Sequence, residues 1–334
     1  MDIAGQTIRE AYVQASSFLR ERGIMEPESN ARQLAEHVLG LTRTELLLRF
    51  ADPFPLEALA AWQEVLNRKA AGEPLQHITG EQEFYGRPFK VTPAVLIPRP
   101  ETELLVEAIL EHARRIWPDG GGLGGSGSRG SGTEPSSLMI GSAGKSQGAA
   151  GPQPGDRALL LTDIGTGSGA IAVTIAGERP QWRIVATDLS PAALAVARDN
   201  AERNGVSGGM EWLTGDLLQP VLAAGLAPDI LVSNPPYIPS GDIAGLQPEV
   251  RVYEPLLALD GGEDGLTPYR RLVRQMAELP AYPALVGFEV GMGQADAVAQ
   301  LLADERQWDW VETVADLAGI ARHVLAGRAV NCRI

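Results

Sequence analysis

Leu159-Leu160-Leu161-Thr162-Asp163-Ile164-Gly165-Thr166-Gly167-Ser168-Gly169, running on into Ala170-Ile171-Ala172-Val173-Thr174-Ile175-Ala176, is the stretch from which the fold can be read. Its first six residues form a short apolar run of the kind that makes a buried strand. Glycine then alternates with threonine and serine, and an apolar run resumes as the start of a helix packed on a sheet. Strand, glycine turn and helix N-terminus together make a nucleotide-type binding element. Glycine tolerates φ > 0 and lets backbone amides come close to a ligand. The spacing is G-x-G-x-G, not the G-x-G-x-x-G of dinucleotide sites.

Three further stations follow. Arg183-Ile184-Val185-Ala186-Thr187 reads as a second strand ending at Asp188, placed to accept hydrogen bonds from a ribose diol. Met210-Glu211-Trp212-Leu213 leads to Gly215-Asp216-Leu217, where Asp216 can meet the exocyclic amine of an adenine and Leu217 offers an apolar contact. Asp229-Ile230-Leu231-Val232-Ser233 ends in Asn234-Pro235-Pro236-Tyr237. The prolines fix φ and remove two donors, leaving carbonyls beside the Asn234 amide and the flat Tyr237 ring. That set suits a planar amino group, either an amide or a nucleobase amine. Taken singly, the acids also fit helix caps or solvated loop charges, and the prolines a stiff turn with a packed tyrosine. Taken in order, they fall at the carboxyl ends of successive strands, where open α/β sheets bind ligands. Strands starting at Leu159, Ile184, Met210, Ile230 and Ala284 alternate with helices starting at Gly169, Pro191, Thr267 and Gln294. The alternation implies a parallel sheet covered on both faces, closed by an antiparallel pair around Trp308–Glu312 and His323–Arg328.

Asp163-Ile164-Gly165-Thr166-Gly167-Ser168-Gly169 resembles motif I of class I S-adenosylmethionine methyltransferases, and Asn234-Pro235-Pro236-Tyr237 is similar to the loop of those that methylate planar nitrogens. Gly72-Glu73-Pro74-Leu75-Gln76-His77-Ile78-Thr79-Gly80 and Leu96-Ile97-Pro98-Arg99-Pro100-Glu101-Thr102-Glu103 resemble segments of the peptide chain release factor N(5)-glutamine methyltransferases, the HemK/PrmC family. Val250-Arg251-Val252-Tyr253-Glu254-Pro255 and Gly287-Phe288-Glu289-Val290-Gly291 fall where that family has similar segments. The resemblance covers most of the chain apart from one insertion, and Pro98-Arg99-Pro100-Glu101-Thr102 is its most specific part.

The resemblance implies an α/β fold: a Rossmann-like class I methyltransferase domain with a small N-terminal helical bundle, joined by a β-hairpin. It implies S-adenosyl-L-methionine as methyl donor, without a metal, and class 1 release factors as protein substrate, bound by the helical bundle. Gly165, Thr166, Gly167, Ser168 and Gly169 are then expected around the methionine and ribose, Asp188 on the ribose, Asp216 and Leu217 beside the adenine, and Asn234 in contact with the donor as well as the acceptor. Leu217 departs from the family, which can carry an aromatic residue there. Asn234, Pro235 and Tyr237 are the expected catalytic residues, and Pro236 completes the substrate loop. The Asn234 oxygen and the Pro235 carbonyl accept both amide hydrogens, and Tyr237 stacks on the amide plane. No histidine or cysteine lies near these motifs, so no general base is assigned. Arg99, Glu101 and Thr102 fit either a supporting or substrate-channel position or a helix-start cluster with an exposed arginine. Two other acceptors remain compatible with the chemistry, a ribosomal-protein glutamine and a nucleic-acid adenine taken out of its stack.

Charge and composition narrow these. With 28 basic and 42 acidic residues the net charge is −14, which argues against a broad nucleic-acid footprint. The single cysteine, Cys332, makes no internal disulfide and points to a reducing compartment. There is no signal-like N-terminus and no membrane-length apolar run, so a cytoplasmic location is expected. His37, His77, His112 and His323 are scattered rather than paired at metal spacing.

Along the chain, Ile8, Ala11, Tyr12, Ala15, Phe18 and Leu19 make one apolar helical face. Pro27-Glu28-Ser29 opens a second helix, and Pro55-Leu56 a third running through Trp62 and Leu66. Residues 1–73 are expected to be the helical domain and 74–98 a linker built on the hairpin Phe84–Val91. Residues 99–334 form the methyltransferase domain, whose first helix starts at Glu101 with Pro100 in its first turn. The Gly/Ser-rich stretch 119–156 reads as a disordered insertion. Its Gly144-Lys145-Ser146 is no P-loop, since Met139 stands where the first glycine belongs.

Overall fold

A computed structural model describes residues 5–118 and 158–328; the expected insertion at 119–156 lies outside the described residues. The N-terminal helices start where the sequence supplies caps. Thr7 Oγ1 accepts from Glu10 N while the Glu10 carboxylate takes the Thr7 N–H, opening α1 (Ile8–Glu21). Its buried stripe is Ile8, Ala11, Ala15 and Leu19. α2 (Pro27–Leu39) ends at Gly40 in the left-handed region. Thr42 and Glu45 repeat the reciprocal cap at α3 (Arg43–Leu48). The chain from Pro55 first makes a 3₁₀ turn, Leu56–Ala58, and then α4 (Leu59–Ala70), which places Trp62 in the bundle core. α5 (Leu75–Thr79) closes the bundle. Six-residue α3 and five-residue α5 escape a reading by periodicity, which needs several turns to register.

The hairpin pairs β1 (Glu81–Phe84) with β2 (Arg87–Lys90) through Tyr85 and Gly86, both at positive φ as a two-residue turn requires. It is more than a connector. Phe84 and Phe89 meet edge to face at 5.8 Å and are fully buried in the same core as Leu105 and Ile109 of α6 (Pro100–Ile116). The rest alternates: β3 (Leu160–Ile164), α7 (Ala170–Glu178), β4 (Arg183–Asp188), α8 (Pro191–Arg203), β5 (Met210–Thr214), α9 (Gln219–Ala223), β6 (Ile230–Ser233), α10 (Pro248–Tyr253), α11 (Thr267–Met276), β7 (Leu285–Glu289), α12 (Ala295–Asp304), β8 (Trp310–Ala315) and β9 (Ala321–Gly327).

The strands form one seven-stranded sheet in the order β5-β4-β3-β6-β7-β9-β8, parallel except for β9. β3, β6 and β7 are buried along their whole length, which is why their sequences are mainly apolar. One core, with α6, α7 and the hairpin, covers one face; a second, with α11 and α12, covers the other. The helical bundle is tied to the second half of the chain: buried Lys69 pairs with Glu249 of α10 at 2.7 Å, and the Tyr253 hydroxyl donates to the Ala71 carbonyl at 3.4 Å.

Because Phe89 lies inside the core that covers one face of the sheet, Phe89→Ala is expected to cost about 3–5 kcal/mol. Denaturant unfolding measures this, and an unchanged midpoint would mean that the hairpin is only a linker.

Candidate active site

Strand order reverses between β3 and β6: the chain moves outward from β3 through β4 to β5, then returns to the other side of β3. The loops leaving adjacent strands there diverge and open a crevice. Ile164 and Ser233 pair in the ladder, and Ser233 Oγ donates to the Ile164 carbonyl at 2.7 Å. The glycine loop and the Asn234-Pro235-Pro236-Tyr237 loop therefore leave the sheet side by side.

Gly165 and Gly167 take φ of 69° and 56°, with open space where a Cβ would stand. Beneath them Asp163 is fully buried. Its Oδ2 accepts from Thr166 Oγ1 at 2.6 Å and from the Ala172 N–H at 3.2 Å, while Oδ1 has no partner among the described residues. Burial pushes this carboxyl up to about 7. Asp188 accepts from the N–H groups of Gly167 and Ser190, both at 2.8 Å. Its burial also raises its pKa, against those hydrogen bonds. A carboxylate has about four acceptor positions, so a diol can still be received.

A cavity of about 390 Å³ lies over these loops. Gly165, Thr166, Gly167, Ser168, Asp188, Asp216, Leu217, Asn234 and Pro236 line it, and so do Arg99 and Thr102. Gly169, Pro235, Tyr237 and Glu101 do not. Gly169 instead caps α7 at φ 83°, where a Cβ would press on Ala197 of α8 at 3.1 Å, so its smallness serves helix packing. Asp216 is paired with Arg271, another wall residue. Leu217 holds φ of 52°, rare for a non-glycine residue, with its carbonyl accepting from Thr187 Oγ1 at 3.3 Å. Tyr237 is half-buried: Arg322 lies 5.9 Å from its ring centre, its carbonyl accepts from Gln294 Nε2 at 2.9 Å, and burial pushes its phenol up to about 12. Arg99 is held by buried Glu254 at 2.5 Å, so it is a fixed wall residue rather than a free helix-start arginine.

Sequence reasoning assigned no role to several residues that the fold brings here. Fully buried Asn200 accepts from Lys90 N at 2.7 Å and donates to the carbonyls of Lys90 and Ser168, clamping the hairpin to the glycine loop. Glu289, at the end of β7, receives the Thr102 hydroxyl. Gly261 and Gly265 back the Asn234 loop: a Cβ on Gly261 would lie 2.8 Å from Tyr237 Cα, and one on Gly265 would lie 2.3 Å from the Tyr237 carbonyl oxygen. The available signal was an acid inside the apolar run Phe288-Glu289-Val290 and a cluster of glycines after Asp260.

Comparison with known proteins agrees with this geometry. A family model for the PrmC N-terminal domain matches residues 10–80, and one for the methyltransferase small domain matches residues 155–246. The release factor glutamine methyltransferase of Moorella thermoacetica is 38% identical over 322 residues, covering 96% of this chain and 99% of the relative. That of Bacillus subtilis is 36% identical over 321 residues, covering 96% and 98%. The chain belongs to the release factor glutamine methyltransferase family. Among solved structures, the hMettl16 catalytic domain in complex with MAT2A 3′UTR hairpin 1 superposes with a TM-score of 0.51 at 12% identity, covering 95% of this chain and 92% of that one. At that identity the likeness speaks for the fold alone. Among the described residues of this methyltransferase, no helix is long and apolar enough to cross a membrane.

The contact at Gly261 is with backbone, which cannot rotate away. Gly261→Ala is expected to displace the Asn234 loop and lower turnover by on the order of 10²-fold. Steady-state assays measure it; wild-type turnover would show that the loop needs no such close backing.

Proposed function

We propose that the chain transfers the methyl group of S-adenosyl-L-methionine to the side-chain amide nitrogen of the glutamine in the Gly-Gly-Gln motif of class 1 peptide chain release factors. The observation that carries this reading is the meeting of the glycine loop and Asn234 in one cavity, in a chain of this family. The cavity suits the donor. Gly165 and Gly167 present backbone with empty space where side chains would project, and Asp163 Oδ1 beneath them has no partner among the described residues. Gly165, Thr166, Gly167 and Ser168 would hold its methionine and ribose portion, Asp188 the ribose hydroxyls, and Asp216 and Leu217 the adenine. When bound, it supplies a methyl already activated on a sulfonium.

The acceptor needs alignment more than acid–base chemistry. An amide nitrogen is a poor nucleophile because its lone pair is delocalised into the carbonyl. The Asn234 side-chain oxygen and the Pro235 carbonyl accept its two hydrogens, orienting the nitrogen and favouring the more positive, less conjugated amine of the transition state. Pro236 keeps the loop stiff. Tyr237 follows on the same loop, and its ring would hold the flat amide by stacking. The proton leaves to water after transfer. An adenine acceptor is disfavoured by the net charge of −14, and the shared fold with an RNA-bound methyltransferase carries no substrate with it.

Incubation with labelled S-adenosylmethionine and purified release factor, ribosomal protein or DNA, followed by mass spectrometry, tests the reading. Label on the release-factor glutamine is the expected result; label only on the ribosomal protein or the DNA rejects it. Asn234→Ala should lower methyl transfer by on the order of 10²-fold or more with little change in donor affinity. Asp188→Ala should do the reverse, weakening donor binding by on the order of 10-fold or more, read by calorimetry. Unchanged affinity would remove Asp188 from the ribose.

A further inference from the structure

Glu289 ends a strand buried along its whole length and is itself 1% exposed. An acid there needs a partner, because an isolated buried charge is costly. Its partners are the Thr102 hydroxyl, which donates to Glu289 Oε2 at 2.5 Å from the first turn of α6, and the Asn234 amide. The same hydroxyl oxygen accepts from Asn234 Nδ2 at 3.2 Å. Thr102 is 4% exposed, so water offers neither group much alternative.

A hydroxyl has one proton, and a carboxylate can only accept. While Glu289 is ionised, the Thr102 proton must point to it, and only lone pairs are left for Asn234. The asparagine meets them with its NH₂. Its oxygen, on the other branch of the same planar group, is then turned away from Thr102. We infer that Glu289 and Thr102 are positioning residues that set which way round the Asn234 amide stands, so that its oxygen and not its nitrogen meets the substrate amide. The inference rests on the reading of Asn234 as acceptor of the glutamine hydrogens.

The relay has a polarity that a proton reverses. A protonated Glu289 can donate to Thr102, whose own proton is then free for the Asn234 oxygen. The asparagine turns over, and its NH₂ faces a substrate NH₂, donor against donor. Burial pushes Glu289 up to about 7. The hydrogen bonds from Thr102 and Asn234 and the charge of Arg322 on β9 work against that rise, and Glu101 on α6 adds to it. The other titratable groups around it are His323, its cross-strand neighbour on β9, Tyr237 on the substrate loop and Tyr269 on α11, whose hydroxyl donates to the Glu289 carbonyl at 2.7 Å. The ionised form is the active one. Turnover should therefore rise with pH through about 7 and level off above it.

The test measures kcat with both substrates saturating, from about pH 5.5 to about pH 9, for wild type, Thr102→Val, Thr102→Ser and Glu289→Gln. Thr102→Val keeps the shape and removes both hydrogen bonds. It should lower kcat by on the order of 10-fold or more, leave KM and donor affinity nearly unchanged, and flatten the rising limb to what the direct Asn234–Glu289 contact still carries. Thr102→Ser restores the hydroxyl and should restore both rate and limb. Glu289→Gln should lose the limb. A second readout needs no turnover: the side-chain ¹⁵N amide signal of Asn234, assigned by its loss in Asn234→Ala, should shift with pH in wild type and stay fixed in Glu289→Gln. Wild-type kcat with an intact limb in Thr102→Val, or an Asn234 signal indifferent to pH while Glu289 titrates, overturns the relay. A wild-type enzyme that leaves release factors unmethylated would instead overturn the substrate reading, and the amide signal would still decide the relay.

Discussion

The pairing of Ile164 with Ser233 is the constraint on which the site depends. Adjacent strands in a sheet lie about 4.8 Å apart, so residues that follow a paired position start their loops at nearly fixed separation. Gly165 and Asn234 are the first residues beyond that pair. The reversal of strand order at β3 and β6 keeps other connections out of the gap between them. Ser233 Oγ on the Ile164 carbonyl adds a side-chain tie at the point where the ladder ends. The glycine loop and the Asn234 loop are thus registered by the backbone of the sheet, the part of the molecule least able to move.

Each loop also stands on a buried carboxyl group. Asp163 gathers Thr166 and the start of α7 under the glycine loop, and Glu289 gathers Thr102, which reaches Asn234. Both carboxyls are pushed up to about 7, and burial is the leading cause in each. Such groups hold a proton more tightly folded than unfolded. They therefore make stability fall as pH rises from the ordinary carboxylate range toward about 7. Apolar residues at these positions would not carry that penalty, but they could not accept from Thr166 or Thr102. The loops are oriented at the expense of stability near neutral pH, a common arrangement at functional sites.

Much of this was legible in the sequence because it is written locally. Glycine alternation, proline pairs and mainly apolar runs announce the strands and the loops that leave them, and Asp188 and Asn234 both line the cavity. What escaped was carried by distance along the chain. Thr102 meets Glu289 across 187 positions and Asn234 across 132, and Asn200 reaches back 110 positions to Lys90. No window of sequence contains such pairs. Gly169 is a milder lesson. It belongs to the motif by spacing, yet its missing side chain is used against Ala197 of α8. A glycine motif records where backbone must come close to something, and the sequence does not say whether that is ligand or helix.

On the proposed reading, the Asn234 loop by itself specifies only a planar nitrogen, and the fold is shared with the hMettl16 catalytic domain. Selection among planar nitrogens has to come from what surrounds the loop. In this chain the helical bundle is fastened to α10 by Lys69 on Glu249 and by Tyr253 on Ala71. The residue that follows α10, Glu254, then holds Arg99 and the Ile97 N–H in the cavity region. One short helix therefore joins the bundle to the arginine that lines the site. An ion pair whose lysine is 3% exposed cannot be broken without leaving a buried charge uncompensated. Bundle and cavity wall are accordingly held in one geometry. A substrate that docks on the bundle would meet a site already placed relative to it.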